Sequence, residues 1–227
     1  MSFKLKNLFK RGFLKAEAIE AQESHTSNST ENSGIRLIVG LGNPGPQYAF
    51  TRHNAGERWV RAFAQEHNVA LKLKRKFSGY TGTTNIDGET VHVLIPTTYM
   101  NRSGQSVGTL SRFFAIAVNQ ILIAHDEVAF PMGVTKIKEG GGLNGHRGLE
   151  SVVEHFGGVK DFLRLRIGIG HPGQASLVSA YLTKEQISQS EWQQIIGSAQ
   201  LKDEILEALI KGDSQRAMLL LHTESTS

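Results

Sequence analysis

A chain of 227 residues with 39% hydrophobic and 20% charged residues has the composition of one globular domain rather than of a disordered protein. It contains no cysteine, which excludes disulfides, thiolate metal sites and cysteine nucleophiles and is typical of a reducing, cytoplasmic compartment. The formal net charge of +4 is compatible with a polyanionic partner. No apolar run approaches the roughly 20 residues that span a membrane.

The first 34 residues differ in composition from the rest of the chain. The start, MSFKLKNLFKRGFLK, mixes apolar and basic residues, and Lys6, Lys10 and Arg11 interrupt the apolar region that a secretory signal needs. The stretch AQESHTSNSTENSG that follows is typical of a flexible linker. We predict a flexible extension over residues 1–34 and a folded domain over residues 35–227. The alternative for the extension is an amphipathic helix that contacts a surface or RNA.

Apolar and alternating runs predict five strands in the folded part. They are Ile35–Leu41, Val91–Pro96, Ile121–Ala124, an edge strand at Val134–Lys138, and Leu163–Ile169. Helical spacing separates them, and strands that alternate with helices predict an α/β domain with a mixed, largely parallel sheet.

The predicted helices are each defined by apolar residues that share one face. In chain order they are a helix with Trp59, Val60 and Phe63 that ends near His67, a helix with Val107, Leu110, Phe113 and Phe114, a helix with Leu149, Val152, Val153 and Phe156, a long helix over Trp192–Ile210, and a last one over Gln215–His222. Ser103 is predicted to cap the second helix.

Ligands of an open α/β sheet bind beyond the carboxyl ends of its strands. In this chain those ends are Gly42–His53, Thr97–Asn101, His125–Glu127 and His171, and most of the unusual polar residues fall there. The sequence therefore predicts one active cleft at that edge of the sheet.

Two short motifs suggest other chemistry but lack the required context. Gly40-Leu-Gly42-Asn-Pro-Gly45 matches the dinucleotide pattern G-x-G-x-x-G, yet Pro44 removes a backbone donor and no acid ends a second strand about 20 residues on. Gly104-Gln-Ser106-Val-Gly108 matches the nucleophile pattern G-x-S-x-G, yet Ser106 falls inside a predicted helix rather than at a strand end. We interpret both as structural.

His53 is the candidate general base, because a free imidazole titrates near neutral pH and this one precedes an apolar helix. Asp126, at the end of a buried strand, is the candidate carboxylate that orients it, and Glu127 is the second choice. A metal site formed by His125, Asp126 and His146 is the alternative, although no third ligand has a diagnostic spacing.

Asn43 and Asn101 follow two other strands, where their amides could hold a substrate carbonyl or a developing oxyanion. The glycine-rich run Gly140–Gly148 opens a helix whose free N–H groups favour an anion. Nearby basic residues predict a rim for an RNA backbone. They are Lys136, Lys138, Arg164 and Arg166.

Five segments in order resemble the bacterial-type peptidyl-tRNA hydrolase family. They are LIVGLGNPGPQYAFTRHNAG, TTYMNRSGQSV, AHDEVAFPMG, GLNGHRGLESVV and LRLRIGIGHPG. The resemblance implies a monomeric esterase without metal or cofactor, a twisted mixed sheet flanked by helices on both faces, and peptidyl-tRNA as the substrate. It implies catalytic roles for His53, Asp126, Asn43 and Asn101.

The resemblance also implies substrate contacts by Tyr48, Tyr99 and Asn101, and contacts of Lys138 and Arg166 with the 5′-phosphate of tRNA. The family usually has asparagine at the position of Arg147, so Asn144 or Arg147 is expected to take that contact. A non-catalytic RNA-binding relative and a serine- or metal-dependent hydrolase of small esters are the alternatives.

Overall fold

The computed structural model describes residues 34–224, with only the backbone of Glu224. Residues 1–33 of the predicted extension lie outside the described residues. The seven strands of the described part are β1 (Leu37–Gly40), β2 (Lys72–Lys74), β3 (Gly79–Ile86), β4 (Glu89–Pro96), β5 (Ile121–Glu127), β6 (Thr135–Glu139) and β7 (Leu163–Gly168).

These strands form one mixed sheet in the order β2-β3-β4-β1-β5-β7-β6. The four central strands, β4, β1, β5 and β7, are parallel to one another. The outer strands β3, β2 and β6 pair antiparallel. The predicted mixed α/β sheet is confirmed, with its parallel pairing confined to the centre, and the predicted strand near Val134 does lie at an edge.

The described part has seven α-helices: α1 (Ala55–Glu66), α2 (Ser103–Phe113), α3 (Arg147–His155), α4 (Val178–Thr183), α5 (Gln189–Gly197), α6 (Asp203–Ile210) and α7 (Ser214–Glu224). None of them is long and apolar enough to cross a membrane. The predicted single helix over Trp192–Ile210 is wrong, because α5 ends at Gly197 and α6 starts at Asp203. Buried Ala199 lies in the break, where its carbonyl oxygen accepts a 2.7 Å hydrogen bond from Trp59 Nε1.

Two further local predictions for α2 are wrong. Ser103 is the first residue of the helix rather than its cap, since the N-cap position is Arg102 and no side chain caps the helix there. Phe113 and Phe114 are 59% and 40% exposed, although both were predicted on the buried face. Phe113 is the last residue of the helix and Phe114 is its C-cap, and both rings pack against Phe77 instead.

The two faces of the sheet are covered by different helices. In β1, Ile38 packs into the core cluster that contains Trp59 and Val60 of α1. Leu37 and Val39 point the other way, into the cluster that contains Val107 and Leu110 of α2 and Leu149 of α3. This alternation follows from the twofold periodicity of a strand, and it explains why β1 has apolar residues on both sides.

Strands β2 and β3 were not predicted. All three residues of β2 (KLK) are exposed, and β3 (GYTGTTNI) is polar along most of its length. Periodicity of apolar residues cannot reveal strands of this kind, because pairing keeps them extended: β3 pairs with β4, and β2 pairs with β3.

The start of α1 lies unusually close to the sheet. A Cβ atom at Gly56 would be 2.1 Å from the carbonyl oxygen of Ala124 in β5. Glu57 N donates to Leu41 O at 2.8 Å, and Leu41 N donates to Ala124 O at 3.1 Å. These backbone contacts fix the short turn immediately before α1, which carries His53.

We expect Gly56→Ala to lower the free energy of unfolding by about 1–3 kcal/mol, because the added methyl group must displace backbone. The higher helix propensity of alanine, worth about 1 kcal/mol, does not compensate for that clash. The control is Gly197→Ala, since a Cβ at residue 197 meets nothing within 4 Å. This variant should raise the free energy of unfolding by up to about 1 kcal/mol. Urea denaturation of both variants measures this, and equal midpoints would contradict the close approach.

Candidate active site

A cavity of about 500 Å³ opens at the carboxyl ends of the central strands. Three of the four predicted segments contribute to its lining, through Asn43 and His53, Tyr99 to Asn101, and His125 to Glu127. His171, in the fourth segment, is exposed and does not line it; its Nδ1 accepts a hydrogen bond from Gly173 N at 2.9 Å. The expectation that the site lies beyond the carboxyl ends of the strands therefore located the cavity, but it wrongly included His171.

His53 lies in a short 3-10 turn, Arg52–Asn54, directly before α1. Thr51 stabilises the turn, since its backbone N and its Oγ1 both donate to Tyr48 O, at 3.0 and 2.8 Å. Arg52 anchors it from the other side, with an ion pair to Glu185 at 3.3 Å and its guanidinium 3.9 Å from the Tyr181 ring centroid. The turn thus presents His53 to the cavity with little freedom.

The predicted contact between His53 and Asp126 is present. His53 Nδ1 and Asp126 Oδ1 are 2.9 Å apart, and both side chains are buried. Burial alone would lower the pKa of His53, but the charge and hydrogen bond of Asp126 outweigh it, so the pKa is raised above 6.5. The positive charge of Arg147 opposes this rise in the pKa of His53.

A second imidazole contacts the same carboxylate oxygen. His146 Nε2 lies 3.0 Å from Asp126 Oδ1. His146 is also the N-cap of α3, where its Nδ1 accepts hydrogen bonds from Gly148 N at 3.2 Å and Leu149 N at 3.4 Å. Because Nδ1 must carry the lone pair, the proton of neutral His146 is on Nε2 and is donated to Asp126. The helix N-terminus therefore fixes the tautomer of His146.

Asp126 stays ionised between these two rings. Burial would raise its pKa, but His53 and His146 together hold the pKa of Asp126 well below its usual range. An ionised carboxylate only accepts hydrogen bonds, so His53 donates from Nδ1 and keeps its Nε2 lone pair for another proton. That tautomer is the one a general base requires.

Neighbouring His125 has a different environment. It is fully buried, its Nδ1 donates to Asp126 O at 2.7 Å, and burial first, then the nearby His146, holds its pKa well below 6.5. It therefore stays neutral at physiological pH. The structure brings His53, Asp126 and His146 together as a possible metal-ligating set, with ligand atoms within 4.8 Å of one another. In the described part, His125 does not belong to that set, which corrects the ligands predicted from sequence.

Asn43 connects two of the strand ends. Its Oδ1 accepts from Met100 N at 2.8 Å, and its backbone N and O are both held by the side chain of Asn54, at 2.8 and 3.0 Å. With Oδ1 engaged, its Nδ2 donors remain available to the cavity that Asn43 lines. Asn54 was missed by sequence reasoning, since an asparagine before a helix usually acts only as a cap.

Four other predicted substrate-binding residues line the mouth of the cavity: Tyr99, Asn101, Asn144 and Arg147. All four are exposed, and Tyr99 keeps 54% of its surface accessible. Asn144 has a positive φ of 51°, and Arg147 is the first residue of α3. Tyr48 is half-buried and does not line this cavity; its carbonyl supports the His53 turn instead.

The predicted basic rim is only partly present. Arg164 is buried and donates to the carbonyls of Gly140 and Gly142, so it holds the glycine-rich loop and is no part of the rim. Arg166 contacts Glu127 Oε2 through Nε and Nη2, each at 3.0 Å, and its guanidinium lies 4.3 Å from the Phe130 ring centroid.

This ion pair occupies Glu127, the second-choice carboxylate, and leaves Asp126 as the partner of His53. Lys138 on β6 is exposed, whereas Arg166 is half-buried, and neither of them lines the cavity. The two cations lie on adjacent strands at the β6–β7 edge, where Lys138 pairs in register with Arg164.

The two short motifs have structural roles. The glycine motif after β1 leads into a 3-10 turn, Pro46–Tyr48, and not into an α-helix that could face a pyrophosphate. Ser106 is fully buried inside α2, and its Oγ donates to Phe77 O at 2.7 Å. Neither motif contributes a nucleophile or a phosphate site.

Helix α4 contributes to the wall of the cavity and was not predicted from the sequence. Val178, Ser179, Leu182 and Thr183 contribute to the lining. The helix has only six residues, and no residue of it is fully buried. Its apolar residues at positions 178 and 182 have helical spacing, but one turn is too short to stand out from a loop.

Comparison with known proteins identifies the family. A sequence model of the peptidyl-tRNA hydrolase family matches residues 37–227. A peptidyl-tRNA hydrolase of Pseudomonas aeruginosa (strain LESB58) is 47% identical over 192 residues, which cover 85% of this chain and 98% of the relative. One of Aeromonas hydrophila is 48% identical over 195 residues, which cover 84% of this chain and 96% of the relative.

Solved structures agree with the sequence relatives. A crystal structure of peptidyl-tRNA hydrolase from Acinetobacter baumannii is 43% identical and has a TM-score of 0.77, covering 86% of this chain and 97% of that chain. The expected resemblance is thereby confirmed over residues 37–227. This chain belongs to the peptidyl-tRNA hydrolase family.

Proposed function

We propose that this chain hydrolyses the ester bond between an N-blocked peptide and the 3′-terminal ribose of tRNA, and so recycles tRNA from peptidyl-tRNA. The observation that supports the proposal most strongly is the pair His53–Asp126, held at 2.9 Å beside an open cavity in a member of this family. The reaction needs only a water, a base and donors for the oxyanion.

His53 is the proposed general base. Its Nε2 takes a proton from a water molecule while the water oxygen attacks the ester carbonyl carbon. The tetrahedral intermediate then collapses, the bond from carbon to the ribose oxygen breaks, and the protonated His53 returns its proton to that oxygen. The products are the free peptide acid and tRNA with a 3′-terminal hydroxyl group, so atoms and charge balance.

Asp126 is the proposed orienting group. It holds Nδ1–H of His53 and stabilises the imidazolium that forms during the reaction. Because the pKa of Asp126 is held well below its usual range by both imidazoles, it does not take the proton itself. His146 shares this task as a positioning residue, since it donates to the same oxygen.

Asn43 and Asn101 are the proposed donors to the oxyanion, and both line the cavity beside His53. Asn43 is the more constrained of the two, since Met100 N and Asn54 fix its orientation. We also propose that Asn43 contributes to telling a blocked from a free amino group. Tyr99, Asn144 and Arg147 are proposed contacts for the peptide and the terminal nucleotides at the mouth.

Lys138 and Arg166 are the proposed contacts for the 5′-phosphate of tRNA, and Tyr48 is a proposed contact outside the cavity. Arg166 is held by Glu127 and Phe130, so its guanidinium is oriented in advance of binding. We also propose that the protein acts as a monomer. We place the protein in the cytoplasm, where its substrate is produced, with residues 1–34 as an extension outside the catalytic domain.

We expect His53→Ala to lower kcat by about 10²–10⁴-fold, because it removes the general base. The measurement is release of an N-acetylated amino acid from tRNA, with unblocked aminoacyl-tRNA as the second substrate. The matched control is His171→Ala, since His171 is exposed, lies at a neighbouring strand end and does not line the cavity.

Wild type should cleave only the blocked substrate, and His171→Ala should behave like wild type. Equal turnover of the two histidine variants, with both folded, would contradict the assignment of the base. Wild-type protein that binds tRNA but releases nothing would instead favour a non-catalytic RNA-binding relative.

We expect His146→Asn to move the acidic limb of the kcat/KM–pH profile to higher pH. Asparagine keeps an acceptor for the α3 amides but loses the proton donated to Asp126. The carboxylate then interacts more strongly with His53 alone, which raises the pKa of His53. The loss of one hydrogen bond of about 1 kcal/mol corresponds to a shift of roughly 0.7 pH units.

The direction of this shift follows from the role of His53, which must be deprotonated to act as a base. A higher pKa of His53 therefore moves the rise in kcat/KM to higher pH. His146→Ala separates this effect from helix capping, because it loses the cap as well and should in addition be less stable by about 1 kcal/mol. An acidic limb that does not move in His146→Asn would show that His146 only caps the helix.

A further inference from the structure

A second concave surface lies at the outer edge of the sheet, away from the cavity that contains His53. It has a volume of about 460 Å³ and is bounded by β2, β3 and the end of α2. We call it the outer groove. The residues that matter for its chemistry are Lys72, Lys74, Lys76, Phe77, His92 and Phe114.

One side of the outer groove is strongly basic. Four exposed cations lie within five consecutive residues: Lys72, Lys74, Arg75 and Lys76. A fifth exposed cation, Arg112, directly precedes Phe113 at the end of α2. Among residues 34–224, no acidic side chain forms an ion pair with any of these five cations. Lys72 and Lys74 are two residues apart on a strand, about 6.6 Å, and point to the same side.

The other side is aromatic. The Phe114 ring lies 4.0 Å from the His92 ring and 4.9 Å from the Phe113 ring, and Phe77 packs beneath both phenylalanines at 5.3 and 5.8 Å. Lys76 Nζ is 3.8 Å from the Phe113 ring centroid. Two large rings that remain 59% and 40% exposed beside lysines form a platform with an accessible apolar face.

Lysines on an edge strand can also act simply to prevent pairing with another chain. That role explains Lys72 and Lys74 on β2, but it does not require the two exposed phenylalanines or the concave shape. A membrane surface or an acidic protein would be attracted by the cations as well. Of these partners, single-stranded nucleic acid has both a chain of phosphates and flat bases that stack on rings.

We propose that the outer groove binds an extended segment of single-stranded RNA. Its phosphates lie on Lys72, Lys74 and Lys76, and its bases stack on Phe114, which lines the groove, and on the adjacent Phe113 at the rim. The groove is separate from the catalytic cavity. Helix α2 begins two residues after Asn101 and ends at Phe113, so the two sites are about 16 Å apart along its axis. The proposal stands independently of the hydrolase assignment.

The test is fluorescence anisotropy of a labelled 12-nucleotide oligouridine with the full chain, at several salt concentrations. The variant Lys72→Gln/Lys74→Gln/Lys76→Gln removes three phosphate contacts. The matched control, Lys160→Gln/Lys184→Gln/Arg216→Gln, removes the same charge from exposed positions outside the groove. A second variant, Phe113→Ala, changes the platform without changing charge, and its ring is too exposed to be essential for folding.

We expect the groove variant to bind at least tenfold more weakly at low salt, and its slope of log K against log salt to fall by about 2, at roughly 0.7 per phosphate. Phe113→Ala should weaken binding at least fivefold with an unchanged salt slope. The control should match wild type. Circular dichroism and release of N-acetylated amino acid should be unchanged in all variants, which separates this site from the catalytic one.

Two results would overturn the proposal. One is equal affinity of the groove variant and the control triple for the oligouridine. The other is unchanged affinity of Phe113→Ala together with equally strong binding of wild type to polyglutamate or to vesicles that contain phosphatidylserine. The second result would mean that the surface attracts any polyanion and has no site for bases.

Discussion

The geometry of the active site depends on the hydrogen bonds between the carboxylate of Asp126 and two histidine rings. This carboxylate is fully buried at the end of β5, and an ionised group in that position is unfavourable unless donors surround it. His53 and His146 supply those donors at 2.9 and 3.0 Å on the same oxygen. This one charge determines the tautomers of both rings. Through His53 and His146 it also connects the 3-10 turn and the N-terminus of α3 to the end of β5.

The fold provides this arrangement through close backbone contacts. Gly56 lets α1 begin against the sheet, which places the turn of His53 beside the end of β5. Asn43 connects the loop after β1 to the turn after β4, and Arg164 holds the glycine-rich loop that leads to His146. Three strand ends and one helix N-terminus therefore meet at a single cavity. The contacts that hold them there are between polar groups, which a pattern of apolar residues in the sequence does not reveal.

Much of this could be predicted from the sequence, for identifiable reasons. Strands β1, β4 and β5 are apolar and buried, so their ends could be found and the cavity placed beyond them. Strands β2 and β3 could not be found, since pairing rather than apolar periodicity holds them. The exposure of Phe113 and Phe114, the break at Ala199 and the burial of Arg164 depend on where helices end and loops fold back. The link between His146 and Asp126 joins residues 20 apart and required the geometry of the α3 cap.

The most direct test of this account is nitrogen NMR of the histidine rings, which distinguishes protonated from unprotonated ring nitrogens. In wild type above the pKa of His53, we expect the proton of His53 on Nδ1 and the proton of His146 on Nε2, with both signals changed in Asp126→Asn. If His53 instead carries its proton on Nε2 in the neutral state, its lone pair faces Asp126, and it cannot act as the general base described here.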